Sequence, residues 1–346
     1  MSAKTSILLT GATGYIGGSI LTRFLQRPDA SSLDIRLLVR SAEKAKKIQD
    51  LDLGVTVIIG SHSDSELMEE LASQVDVVLA TADCDDINAA QSALRGLKKR
   101  YEATGKAPIF IETSGTGVYA DMVNGAHANS EVFDDANADQ IETLSPTAPH
   151  RPVDEVIVSG DAEGYVRSYI VLPSTVWGIA KGPLFESKIS NPHSKQIPYC
   201  VRAGLVRGQG GMLTEGRNVW PLVEIHELSD LYSMLYDAIQ SGNPMVRHGR
   251  EGYFNAVYDE YSMQQLARGI SEALVILGRG KTTEPSSFTQ EELVKFFGPF
   301  GPFFGSNCRC LATNSKAIGW APKKGLKEML ASIRYEAEAL IAAEGL

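Results

Sequence analysis

The sequence predicts an α/β fold, a doubly wound parallel sheet, and three observations carry the prediction. The first 115 residues alternate short aliphatic runs with stretches of helical length. The earliest run, Thr5 to Thr10, opens directly into Gly11-Ala12-Thr13-Gly14-Tyr15-Ile16-Gly17. The chain has 346 residues, 43% of them hydrophobic and 22% charged, so it is an ordinary globule with enough apolar surface for a large core.

Taken in order, strands are expected at 5–10, 34–39, 55–59, 75–79 and 108–113, each a β-branched or aliphatic run bounded by polar residues. Helices fit between them at 15–27, 42–50, 64–72 and 86–104. Continuous apolar strands with helical crossovers require a parallel sheet covered on both faces. From Tyr119 to Pro149 the pattern breaks into Ala, Asn, Asp and Gly, with acidic clusters at Glu131–Asp135 and Asp139–Glu142. This reads as a surface excursion near the strand C-termini. A helix at 151–160 and a strand at 166–172, ended by Pro173, follow.

Residues 178–198 read as loop, 199–208 as helix and 218–225 as strand. Leu228, Leu231, Leu235 and Ile239 then repeat with helical period through 227–240. A short strand at 254–257 precedes helices at 262–277, 290–297 and 325–344. The segment 298–305, Gly-Pro-Phe-Gly-Pro-Phe-Phe-Gly, is read first as an aromatic plug under a loop; a pocket wall or a dimer contact are the alternatives. The expected organisation is a Rossmann-type dinucleotide domain over 1–180 and a smaller, mostly helical substrate domain over 181–346. Residues 213–257 are expected to return in part to the first.

The formal charge of -9 argues against a nucleic-acid partner. No apolar run approaches the ~18 residues of a membrane span, and no basic segment precedes an apolar leader. The expectation is a cytoplasmic protein that acts on a small molecule, without a membrane partner. Of Cys84, Cys200, Cys308 and Cys310 only the last two are close, so free thiols are expected. The histidines at 62, 127, 150, 193, 226 and 248 form neither His-x-x-x-His nor His-x-His. No metal site is expected. There is also no nucleophile elbow and no phosphate loop with Lys.

A strand feeding Gly-x-x-Gly-x-x-Gly has a physical purpose. Gly11 permits the tight turn, Gly14 lets the backbone approach a pyrophosphate, and Gly17 lets the helix pack close on the strand. Thr13, Tyr15 and Ile16 belong to the same cofactor-binding turn. The second strand ends in Val39-Arg40-Ser41, with Arg where NAD-preferring sites place an acid. A guanidinium there grips a 2′-phosphate, and Ser41 and Lys44 are placed to assist. NADP(H) is therefore preferred over NAD(H), although Arg40 as a plain solvated cation is the competing reading. Thr81 and Ala82, after the fourth strand, are small enough to lie beneath a cofactor or simply to pack the sheet tightly.

These motifs, with Thr113-Ser114-Gly115-Thr116-Gly117-Val118-Tyr119 and Leu172-Pro173-Ser174-Thr175-Val176-Trp177-Gly178, resemble the extended short-chain dehydrogenase/reductase superfamily. The resemblance covers residues 5 to about 240 and implies that Thr113, Pro173, Ser174 and Thr175 border the cofactor. It also implies a hydroxyl after the fifth strand and a Tyr-x-x-x-Lys on the next long helix, which run proton transfer. This chain departs from that pattern. The hydroxyl position falls on Gly115, flanked by Ser114 and Thr116. His150 stands in the Tyr position and Asp154 in the Lys position.

Three readings stay open. His150 is a substitute acid/base supported by Asp154; or the two are structural and the chemistry lies elsewhere; or the pocket binds NADP(H) without catalysis, as a sensor or regulator. Ser114, Thr116 and Tyr119 join His150 and Asp154 as candidate catalytic residues, and Tyr119, Gly115, Arg202, Trp220 and His226 are the candidate substrate-side residues, with core packing or a surface ion pair as their ordinary alternatives. The leading expectation is an NADP(H)-dependent reductase or isomerase for a small apolar or aromatic metabolite. A sugar-nucleotide epimerase or dehydratase is weakened by the missing Tyr-x-x-x-Lys. A homodimer is implied by the resemblance alone.

Overall fold

The computed structural model describes residues 4–345. Its centre is the expected Rossmann-like sheet. β1 (Thr5–Thr10) pairs in parallel with β2 (Leu33–Val39) on one side and with β4 (Val77–Ala80) on the other. β3 (Thr56–Ile59) closes one edge beside β2. β5 (Ile109–Thr113), then Arg167–Pro173, then Tyr253–Ala256 extend the sheet beyond β4, giving seven parallel strands. The chain changes direction between β1 and β4, so a crevice opens above their C-terminal ends.

Helices α1 (Tyr15–Leu25), α2 (Ala42–Asp50), α3 (Ser65–Ala72) and α4 (Ile87–Thr104) are the crossovers. The last three start on a side chain that accepts a bond from the first helical turn: Ser41, Asp64 and Asp86 respectively. β1 is buried on both faces, Ile7, Leu8 and Leu9 being almost wholly covered, which is why its sequence is a continuous apolar run. The remaining long helices are Arg151–Ala162, Gln196–Arg207, Ile225–Gln240, Met263–Ile276, Gln290–Phe297 and Leu326–Glu344. Among the described residues no helix is long and apolar enough to cross a membrane.

Two regions differ from the sequence expectation. The excursion after Tyr119 is stapled down rather than loose. Phe133-Asp134 pairs with Cys310-Leu311, and Asp121 bridges to Asn307. Asp135 is buried there and accepts from the backbone amides of Asn255 and Asn314; burial pushes its carboxyl up to about 7. Strands of two residues formed across 177 positions leave no local signal. A second sheet, Thr175–Trp177, Val219–Glu224 and Asp259–Ser262, flanks the first, where the sequence showed one strand. The 298–305 segment is a plug: Phe304 packs on Phe297 at 4.2 Å between centroids, and Phe303 on Trp220 at 5.1 Å. Phe300 alone stays outside, 70% exposed.

Candidate functional site

The crevice begins at the glycine turn. Gly11 has φ +74, a conformation open to glycine, and a Cβ there would lie 2.6 Å from the Thr81 carbonyl oxygen. A Cβ on Gly17 would lie 2.3 Å from the Gly11 carbonyl oxygen and 2.4 Å from Thr81 Oγ1. The Gly14 amide donates to Gly11 at 2.8 Å. Thr81 locks β4 to β1: its hydroxyl donates to the Thr10 carbonyl at 2.6 Å and its amide to Thr10 Oγ1 at 3.2 Å. Helix α1 then starts at Gly14 without a side-chain cap. Its free N–H groups and positive end face the crevice, the arrangement that receives a pyrophosphate. The backbone cradle, which any side chain would fill, fits a dinucleotide. Thr13, Tyr15 and Ile16 are half-buried around it, and Tyr15 donates its hydroxyl to the Gly178 carbonyl at 2.7 Å.

Arg40 is exposed at the end of β2 and makes no ion pair or hydrogen bond among the described residues, so its guanidinium is available. Ser41 caps α2, accepting from the Lys44 amide at 3.2 Å. Ala82 follows Thr81 into the crevice-side loop. On the far side, Ser174 donates to the Ala256 carbonyl at 2.8 Å, and Thr175 Oγ1 bonds Gln196 and the Tyr261 hydroxyl. Those hydroxyls tie strands together, and Pro173 sits in register with Ala256.

The β5 end of the crevice, which holds the candidate catalytic residues, differs from the sequence expectation. Thr113 is held in the core by the Tyr232 hydroxyl at 2.7 Å. The Tyr119 hydroxyl is engaged with Asn255 at 3.1 Å, and its ring stacks on Phe133 at 4.7 Å. Burial raises that phenol far above its ordinary range, and its contacts are those of the core-packing alternative. Thr116 is buried with its hydroxyl unpartnered, and its carbonyl accepts from the Cys308 thiol at 3.1 Å. Ser114 donates to Asp154 Oδ2 at 3.2 Å.

His150 adopts φ +67 and forms the N-cap of the helix Arg151–Ala162. Its Nε2 faces the loop after β5: a Cβ built on Gly115 would lie 3.2 Å from it, and one on Gly117 would lie 3.3 Å away. The imidazole fills the notch that these two glycines leave. Nδ1 lies 2.9 Å from Asp85 Oδ1 and 3.1 Å from Cys84 Sγ.

Asp85, not Asp154, is thus the carboxylate that orients His150. The i,i+4 rule aligns side chains inside a helix. His150 precedes the first turn in a left-handed conformation, and its ring leaves that face. Asp154 is fully buried, one oxygen on Ser114 and the other unpartnered, and burial pushes its carboxyl up to about 7. Glu112, one residue before Thr113, is a second buried carboxyl, which burial holds well above its usual range. Cys84 and Asp85 escaped the sequence reading because they lie some 65 positions from His150. The signal was present in Asp83-Cys84-Asp85-Asp86, a polar run at the C-terminal end of a sheet strand.

The substrate-side expectations divide. Arg202 is committed to Glu344 through three bonds of 2.6–3.0 Å, the surface-pair alternative. Trp220 is a buried anchor whose indole donates to the Ser306 carbonyl at 2.8 Å. Its stacking partner Phe303 nevertheless reaches within 3.5 Å of a Cβ position on Gly117. His150 and Phe303 thus flank Gly117. His226 pairs with Glu224 at 2.6 Å, and Glu224 comes within 3.3 Å of a Cβ position on Gly178, the residue that receives Tyr15.

Comparison with known proteins bears on the fold. The sequence profile of the NmrA-like family matches residues 3–96, the segment that carries the glycine turn. A protein described as oxidase ucsJ, from an Acremonium species, is 27% identical over 96% of this chain and 98% of its own length. An uncharacterised Saccharomyces cerevisiae protein, YLL056C, is 22% identical over 93% of this chain and 96% of its own. Among solved structures, UDP-glucose 4-epimerase from Thermotoga maritima superposes with a TM-score of 0.65 at 16% identity, covering 97% of this chain and all of the epimerase. The dTDP-glucose 4,6-dehydratase from Bacillus anthracis, solved with NAD, gives a TM-score of 0.62 at 17% identity, covering 99% and 98%. The resemblance to the extended short-chain dehydrogenase/reductase superfamily holds in sequence and in fold, and the fold supports NAD(P) binding.

Proposed function

Proceeding from that superfamily's fold, we propose that this protein is an NADP(H)-dependent reductase or isomerase acting on a small apolar or aromatic metabolite, with an Asp85–His150 pair in place of the Tyr/Lys pair. The observation that carries the reading is the imidazole at Gly115. Nε2 lies 3.2 Å from a Cβ position on Gly115, the residue at which the resembled superfamily carries its hydroxyl, and a carboxylate sits on Nδ1. The redox name of the relative that matches nearly the whole chain supports the same class.

A bound nicotinamide supplies or removes hydride. The chain's own contributions are separate. The α1 N-terminus and the glycine backbone hold the pyrophosphate. Arg40, exposed and unpaired, meets the 2′-phosphate. Asp85 accepts from Nδ1–H, which fixes the tautomer and leaves Nε2 to carry the proton exchanged with the substrate oxygen or carbon. The Asp85 carboxylate stabilises the imidazolium when Nε2 is protonated, as in other carboxylate–imidazole pairs. Phe303, backed by Trp220, gives the pocket an apolar side next to Gly117 and excludes water there.

Asp154 explains why a phenol does not do this work. A Lys in that position lowers the pKa of a neighbouring Tyr; a buried carboxyl raises it. The test is direct. NADPH and NADH are titrated by fluorescence, and candidate carbonyl and enone substrates are then screened with wild type and His150→Ala. Tighter NADPH binding with turnover lost in the variant is expected; equal cofactor affinities, or full turnover without His150, would refute the assignment.

A further inference from the structure

We infer that Cys84, Asp85 and His150 form a binding site for a thiophilic divalent cation of the zinc class. The three ligand atoms lie within 4.8 Å of one another. Nδ1 is 2.9 Å from Asp85 Oδ1 and 3.1 Å from Cys84 Sγ, and that sulfur is 3.9 Å from Asp85 Oδ2. Tetrahedral zinc with bonds of about 2.0–2.3 Å needs ligand separations of roughly 3.3–3.6 Å. The side chains reach those separations by moving a few tenths of an ångström.

Three groups that can each offer a lone pair converge on one small volume. One nitrogen is addressed by both a carboxylate and a thiol. Without a cation an Nδ1–H is shared between Asp85 Oδ1 and the weakly accepting sulfur, and the thiol hydrogen has only the distant Asp85 Oδ2 at 3.9 Å. A metal ion at the centre satisfies all three groups at once, with Nδ1 as a lone-pair donor. Thiolate, imidazole and carboxylate together are a zinc donor set rather than a calcium or magnesium one.

The surroundings favour positive charge. The loop reads Asp83-Cys84-Asp85-Asp86, and the buried carboxyls of Glu112 and Asp154 lie close behind. Among the described residues no Lys or Arg forms an ion pair with any of these acids; their ion-pair partners are His150, and His62 at 3.7 Å from Asp86. The left-handed backbone of His150 is a cost for a non-glycine residue, and it delivers the ring to this loop. Asp85 is exposed, so a fourth position is open to water. Occupation engages Nδ1 and Asp85, the two groups that the proposed proton transfer uses. Zinc therefore acts as an inhibitor of that activity, but its binding does not depend on the reading of the reaction.

The experiment uses the full chain, stripped of metal and titrated with zinc chloride by calorimetry and with cobalt(II) by absorption. One zinc per chain is expected, together with a cobalt spectrum that contains a thiolate charge-transfer band in the near ultraviolet. Cys84→Ala removes that band, and both Cys84→Ala and Asp85→Asn weaken zinc by at least about tenfold. Circular dichroism and NADPH binding, unchanged in both variants, show that the fold and the cofactor cradle survive. Absence of saturable zinc binding, binding undiminished in Cys84→Ala, or a cobalt spectrum without the thiolate band would overturn the site. Each of these results is read without any turnover assay, so it stands apart from failure of the proposed reaction.

Discussion

The two ends of the crevice obey different rules. At the β1–α1 end the features are matters of main-chain clearance: three glycines, a helix start and a threonine clamp reaching over from the end of β4. At the β5 end the important contacts join residues 84–85, 115–117 and 150, three loops set side by side by the sheet. The first end tolerates almost no change of residue, because main-chain atoms lie where side chains would go. The second depends on side chains that meet across loops, the His150 ring lying where glycines at 115 and 117 leave room. Under the proposed function, holding a cofactor rests on the backbone and moving a proton on side chains.

The sharpest way to break that contrast is to strike the backbone end. In Gly17→Val a Cβ meets the Gly11 carbonyl at 2.3 Å, and main chain cannot yield as a flexible side chain does. Helix α1 is pushed off β1. NADPH affinity is expected to fall by about 100-fold or more, and the melting temperature to drop with it. Fluorescence titration and a thermal melt read both. If affinity survived, the cradle would not be the binding site.

The second test strikes the other end. His150→Ala is expected to lower kcat by about 10²–10⁴, the usual worth of a positioned acid/base group, while the Kd for NADPH stays at the wild-type value. Parallel loss of cofactor affinity would show that the two ends are not separable. Gly115→Ser asks whether the His150 ring needs the room left at 115. It places a side chain 3.2 Å from Nε2 and displaces the imidazole, for an expected loss of about tenfold in kcat/KM. Added to His150→Ala the same serine should cost little, since the ring it crowds is gone. An additive double variant would mean that 115 and 150 do not share one space.

The same contrast decides what could be read in advance. Strands and helices of the sheet were legible to within a few residues, because apolar runs and caps are written locally; α2 and Gln290–Phe297 match their expected ranges. The cradle was legible because clearance demands glycine. Asp85 was not, since nothing near 85 in the sequence mentions 150. Nor was the direction of Asp154 legible: helical spacing suggested a partnership with His150, and the left-handed N-cap removed it. For Arg202 and Trp220 the ordinary alternatives, an ion pair and a buried anchor, are the ones seen, but their partners Glu344 and Phe303 could not be named because they come from the C-terminal third.

A smaller effect separates the two ends by cofactor. Arg40 lies at the backbone end but acts through its side chain. Arg40→Ala should weaken NADPH by about tenfold, the order of one charge-assisted contact, and leave NADH unchanged. Equal weakening of both dinucleotides would assign Arg40 to general electrostatics instead of the 2′-phosphate.

The smallest effect concerns stability alone, and it tests whether the β5 end carries a cost. Asp154 is fully buried, and burial raises its carboxyl from the ordinary 3.8 to about 7. Between those values the folded chain keeps a proton that the unfolded chain has released, so stability falls as pH rises through that window and stays lowered above it. Asn cannot ionise and keeps an acceptor for Ser114. Asp154→Asn should therefore melt a few degrees above wild type at about pH 8, with the gain shrinking toward zero as the pH approaches 4. A gain that is flat across pH would reflect packing rather than charge. A loss at pH 8 would mean that the carboxylate is stabilised in place, by Arg151 or by a bound cation, and that the acidic floor beneath His150 is not a cost but a binding surface.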